Sequence, residues 1–143
     1  MTQTPQEQLA ADGVVAFTAR DYRPGLVRHV VLFRYRDDVT DHQKEEVRQR
    51  FRDLAASVRD DGARYIVSVD AGPQTSGEGA GAGYEDGFVV TFASEGDRNY
   101  YVGTPVVTDP AHYDPAHAAF KEFVGPLLAD TEGALVFDII PPA

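Results

Sequence analysis

Two segments of this chain, residues 27–35 (VRHVVLFRY) and 134–140 (ALVFDII), are apolar at both parities of a strand. Successive side chains point to opposite faces of a sheet, so a strand with one wet face is apolar only at every second position. In the first segment Val27, Val31, Phe33 and Tyr35 share one parity with His29, while Val30 and Leu32 share the other with Arg28 and Arg34. Both faces of the sheet that holds these strands therefore need cover. Helices can supply one cover, and a second subunit packing sheet to sheet would supply the other.

The remaining elements follow from local signals. Thr40 and Gln43 form a capping box, and Val47, Phe51, Leu54, Ala55 and Val58 continue at helical spacing, with Gly62 suited to close the helix. Its other face carries Lys44, Glu45, Arg48, Arg52 and Arg59 and reads as solvated. Residues 63–70 (ARYIVSVD) and 88–93 (FVVTFA) are rich in strand formers. Residues 71–87 between them are glycine-rich without completing a phosphate-loop motif, and read as a surface hairpin loop. Ser94 and Asp97 open a short helix that Gly103-Thr104-Pro105 breaks, and residues 103–113 are irregular. Residues 1–26 read as an extension, a mobile arm with a partly docked end, in which Val14–Thr18 could form a short strand on a sheet edge or a partner.

The order strand, helix, strand, strand, helix pair, strand is the split βαβ or ferredoxin-like pattern. The expectation is an α+β domain over residues 27–143, with one antiparallel four-stranded sheet, helices on one face and a dimeric α/β barrel as the assembly.

Composition narrows the function. The 143-residue chain has no cysteine, which removes disulfides, thiolate nucleophiles and cysteine-bound zinc. A formal charge of −10 repels phosphate backbones, so no nucleic-acid partner is expected. No apolar run reaches the roughly 20 residues of a membrane helix, and the polar start MTQTPQEQLAADG lacks the order of a signal peptide. These features imply a cytoplasmic protein that does not engage a membrane.

The chemistry concentrates in residues 109–123, DPAHYDPAHAAFKEF, where Asp-Pro-Ala-His occurs twice and holds two of the four histidines. Asp114-Pro115 is a strong helix start, since Asp accepts from orphan N–H groups and Pro suits the first helical position. That start puts His117 in the first turn, with Phe120 and Val124 on its stripe. No His-x-x-x-His pair and no G-x-S-x-G occurs, so neither a metal centre nor a serine triad is expected.

HVVLFRY, the Thr-capped helix, GYEDGFVVTFAS, the following Tyr, DPAHAAF and LVFDI together resemble the stress-responsive dimeric α/β barrel family over residues 27–140. The resemblance implies a homodimer whose subunits each keep a small-molecule pocket between sheet and helices. The best understood enzyme of the family is a plant polyketide cyclase, in which the His of Pro-Ala-His is the base and a Tyr on the preceding helix assists. By position these are His117 and Tyr101. The family enzyme has His at the Asp86 position and Tyr at the Phe51 position, near its pocket, so Phe51, Asp86, Phe120 and His29 become substrate-binding candidates. The first Asp-Pro-Ala-His copy, with His112, falls in an insertion that this enzyme lacks.

A neutral imidazole at a helix N-terminus is a suitable general base, and a phenol could donate to the enolate oxygen that develops. The expected function is cofactor-independent cyclisation or isomerisation of a polyketide-like or other keto substrate, without metal. A non-catalytic, stress-responsive small-molecule-binding protein and a cofactor-free monooxygenase are the alternatives. In the first alternative His117 fills the pocket edge and Tyr101 is core; His29 reads first as a buried structural histidine on its strand, with a supporting role behind the pocket as the alternative.

Overall fold

Alternating burial on the central strand sets the architecture. The computed structural model describes residues 3–143. Its elements in chain order are α1 (Pro5–Asp12), α2 (Val14–Phe17), β1 (Pro24–Phe33), α3 (Asp41–Asp53), β2 (Ile66–Pro73), β3 (Asp86–Ser94), α4 (Glu95–Val102), α5 (Pro115–Val124) and β4 (Ala134–Ile139). The strands form one antiparallel sheet in the order β2-β3-β1-β4. Val27, His29, Val31 and Phe33 of β1 are buried with Phe88, Val90 and Phe92 of β3 on the face that the helices cover. Phe51 of α3 stacks on Phe88 at 4.0 Å between ring centroids and meets Phe120 of α5 edge-on at 5.2 Å, tying both helices to the sheet. This is the ferredoxin-like α+β arrangement the element order implied.

The opposite sheet face is apolar and open. Leu135, Phe137 and Ile139 of β4 are 42%, 62% and 43% exposed. They flank Val30 and Leu32 of β1, whose side chains are half-buried. Among the described residues no helix is long and apolar enough to cross a membrane.

The capping signals act as expected at α3, α4 and α5. Thr40 accepts from Gln43 N, Ser94 from Asp97 N and Asp114 from Ala116 N. Several other expectations are corrected. α3 ends at Asp53, followed by a 3-10 turn over Leu54–Ala56, and Val58 is 47% exposed and leaves the stripe. Gly62 (φ 80°) closes the turn between the bridged residues Val58 and Arg64, not the helix. β2 runs from Ile66 into the glycine-rich segment as far as Pro73, because pairing with β3 down to Pro73↔Asp86 satisfies its backbone.

The charged face of α3 is not simply solvated. Arg48 donates to Asp86 Oδ1 at 2.9 Å, where Asp86 is also held by the Tyr35 hydroxyl at 2.7 Å. Lys44 pairs with Glu85 at 2.6 Å. Beyond α3, Arg59 pairs with Asp97 at 2.8 Å and lies 4.1 Å from the Tyr100 ring centroid. The carboxylates come from distant elements, so sequence spacing could not indicate them.

Residues 14–17 are helical, not a strand, and the amino-terminal segment is docked on α4. Phe17 and Thr18 are buried, Asn99 donates its Nδ2 to Phe17 O at 2.9 Å, and Arg59 donates to Thr18 O at 2.5 Å. Glycine at position 96 permits the approach: a Cβ there would collide with Ala19 O. Burial of Phe17 outweighs the strand preference of the two valines before it.

Candidate functional site

A cavity of about 420 Å³ opens between the inner sheet face and α5, walled by Val31 and Phe33 of β1, Phe51 of α3, Phe120 and Val124 of α5, and Val136 of β4. Among the described residues on its wall, His29, His117 and Lys121 alone are ionisable. The chamber is thus apolar with three nitrogen-bearing side chains.

Asp114 and Pro115 start α5 and set His117 at its third position, 8% exposed. Its Nδ1 lies 2.5 Å from the main-chain carbonyl of Tyr101. A carbonyl only accepts, which assigns the proton to Nδ1 and leaves Nε2 with a free lone pair. The Tyr101 ring stacks on the imidazole at 3.8 Å and 15°, fixing its plane. Burial, then the Lys121 charge and to a lesser extent His29, push the His117 pKa down to about 3, against the opposing pull of the Tyr101 carbonyl. The shift has the direction that a helix N-terminus implies, but desolvation is its largest cause.

His29 is held differently. The antiparallel register sets it opposite Asp138 of β4, and its Nδ1 lies 2.7 Å from Asp138 Oδ1. Arg98 of α4 donates to the other carboxylate oxygen at 2.8 Å. Burial works to raise the Asp138 pKa, yet the bonds from His29 and Arg98 bring it below the usual carboxylate value. A carboxylate on Nδ1 again assigns the proton there and leaves Nε2 free. On the far side of His29 a smaller cavity of about 130 Å³ is closed by Pro5 and Phe17 of the amino-terminal helices.

Phe51 and Phe120 line the large cavity together with His29 and His117. Tyr101 and Asp86 are not on its wall. Tyr101 is 1% exposed, sandwiched between His117 and the edges of His29 and Phe92, and its hydroxyl has no hydrogen-bond partner. Burial, followed by the nearby Asp114 charge, raises its pKa, so the phenol stays protonated. Asp86 is buried in its pairing with Arg48 and Tyr35 and borders a separate surface hollow beside residues 72–75. His112 sits in a 3-10 turn, 3.9 Å from Asp109, away from the cavity.

Sequence reasoning missed Asp138, Arg98 and Lys121. Asp138 carried a faint signal, as the one acid in an apolar strand, and only the register shows that it faces His29. Lys121 carried a better one, four residues after His117 on one helix face. Among the described residues no group of three His, Asp or Glu side chains converges on a metal position.

A four-stranded antiparallel sheet, helices on one face and an apolar chamber between them define a ferredoxin-like α+β domain. Residues 27–141 match the family model of the stress responsive A/B barrel domain, and the chain belongs to that family. A protein from Arabidopsis thaliana is similar in structure, with 28% identity, a TM-score of 0.60, and coverage of 82% of this chain and 96% of the other. A dimeric ferredoxin-like protein from Thermobifida fusca has 26% identity and a TM-score of 0.58 over 85% and 96% of the two chains. Hydroxynitrile lyase from Passiflora edulis shares the fold at 21% identity, with a TM-score of 0.61 over 83% and 95%. No curated protein matches the chain by sequence.

Proposed function

We propose that this chain is a homodimeric, cytoplasmic, cofactor-independent enzyme that removes a proton next to a carbonyl of a small keto substrate, leading to cyclisation or isomerisation of a polyketide-like molecule. One observation carries the reading. Two imidazoles, His117 and His29, border one apolar cavity, each with Nδ1 held by an acceptor and Nε2 left free. A cavity of about 420 Å³ suits a small organic ligand. His117 is the base: neutral at pH 7, it takes the proton on Nε2 while the electron pair moves to the carbonyl oxygen as an enolate. The proton that His117 takes on Nε2 is the one it can return to the enolate, while His29, oriented by Asp138, offers its Nε2 only as an acceptor on the same wall. Tyr101 serves as a positioning residue, through the carbonyl that fixes the His117 tautomer and the ring that fixes its plane. The open apolar face of β4 supports the homodimer, as does the dimeric description of the Thermobifida fusca protein. A chain without cysteine is compatible with a reducing compartment.

A second reading, a small-molecule container without catalysis, draws support from the unpartnered Tyr101 hydroxyl lying off the cavity wall. Proton–deuterium exchange at the central carbon of 1-phenyl-1,3-butanedione, followed by NMR, separates the two. The native chain should accelerate exchange, and His117→Gln should lower the rate by about 100-fold or more. Tyr101→Phe should keep the rate within about threefold, because its ring and carbonyl remain. Native exchange no faster than buffer, or unchanged in His117→Gln, would leave the container.

A further inference from the structure

Lys121 lies one helical turn after His117 on α5 and on the same side of it. Its ammonium donates to Val102 O at 2.7 Å and to Thr104 O at 2.9 Å, main-chain carbonyls at the end of α4 and just beyond it. An ammonium carries three donors, so one is left over. The chain has 23 acidic residues against 13 basic ones, and Lys44, Arg48, Arg59 and Arg98 all pair with carboxylates. Among the described residues Lys121 pairs with none, and none of the cavity wall is acidic. Burial lowers its pKa, the expected response of a half-buried ammonium without a counter-ion.

An apolar chamber with one uncompensated positive end discriminates by charge. A neutral ligand gains only an ordinary hydrogen bond at that end, while an anion gains a stronger charge-assisted one and regains there much of the solvation it loses on entry. Capping the carboxyl end of α4 accounts for two of the Lys121 donors. It does not account for the side chain's place on the cavity wall or for the absence of a neutralising acid.

We propose that the cavity selects keto acids, with Lys121 holding the substrate carboxylate through its remaining N–H and so presenting the carbon beside the carbonyl to His117. Lys121 is then a specificity-determining residue, and the inference rests on the proposed reading of the cavity as a substrate site. An apolar tail lies along Phe51, Phe120 and Val136, and the carboxylate sits at the Thr104 side of the chamber.

The test compares 4-oxo-4-phenylbutanoate with its methyl ester by titration calorimetry on the full chain and on Lys121→Met, Lys121→Arg and His117→Gln, with melting temperatures for all. The native chain should bind the acid about tenfold or more tightly than the ester. Lys121→Met should bring the two within about twofold, and Lys121→Arg and His117→Gln should keep the preference. Equal binding of acid and ester by the native chain overturns the inference and leaves His117 as a base intact. A lowered melting temperature in Lys121→Met with the acid preference unchanged also overturns it, and reduces Lys121 to a helix cap. Binding of neither probe overturns it together with the substrate-site reading. Loss of the proton-exchange activity alone, with the acid preference present, removes the catalytic reading and leaves the carboxylate site standing.

Discussion

His117 shows how one residue's charge state depends on contacts from three elements. Its imidazole is buried against Tyr101 of α4, the Lys121 charge is one turn away, and His29 faces it from β1. Its pKa falls from 6.5 in the unfolded chain to about 3 in the folded one. Between those values the unfolded chain binds the extra proton, so the folded state loses stability as pH falls through the window. One proton limits the slope to about 1.4 kcal/mol per pH unit. Urea unfolding of the native chain and of His117→Gln at intervals from pH 7 to pH 4 should therefore give curves that converge as pH falls, the native chain losing more. Parallel curves would mean that the imidazole is solvated in the folded state. The position of His117 at a helix start was legible in Asp114-Pro115, whereas the aromatic lid that desolvates it was not.

At the scale of elements, Asp114 links α5 to the approach of β2. One carboxylate oxygen accepts from Ala116 N at 2.8 Å, and the other accepts from the buried Tyr65 hydroxyl at 2.5 Å. The cap was readable from sequence; the second bond joins residues 49 apart and was not. Asp114→Ala should cost about 2–4 kcal/mol, of which about 1 is the cap and the rest the unpaired phenol. Adding Tyr65→Phe in the same chain should recover part of that loss, and chemical denaturation of the three variants measures both. A cost below about 1 kcal/mol would show that Tyr65 finds water instead. The same logic explains the misread segments at α2 and α3. Local pattern assigned the cationic side chains of α3 to solvent and Val14–Thr18 to a strand. Asp86 and the underside of α4 reassigned them, because a buried carboxylate and a buried phenylalanine ring outweigh propensities of a few tenths of a kcal/mol.

At the scale of the molecule, the open sheet face is the surface on which the proposed homodimer rests. Leu135, Phe137 and Ile139 stand on it beside Val30 and Leu32, an apolar surface that water penalises unless another surface covers it. Phe137, at 62% exposed, is the most open of these. Phe137→Asp should shift the chain from dimer to monomer in sedimentation equilibrium with little loss of helical circular dichroism, since its side chain does not enter the core. An unchanged dimer mass would show that the subunits join by another surface. The paired registers of VRHVVLFRY and ALVFDII already indicated that this second face is apolar, because a sheet with helices on one side and water on the other is apolar at one parity alone.

The sequence by itself determined the order of elements, their caps and the need to cover both sheet faces, because these depend on periodicity and on contacts within a few residues. It also pointed to His117, through a helix start that local chemistry dictates. Only the tertiary structure decided the partners. The register that sets Asp138 against His29, the stacking that fixes His117 on Tyr101 and takes the Tyr101 hydroxyl off the cavity wall, and the pairing that removes Asp86 from it all join residues far apart in the chain. Such contacts follow from how the sheet and helices pack, and no local pattern encodes which distant side chain will be there.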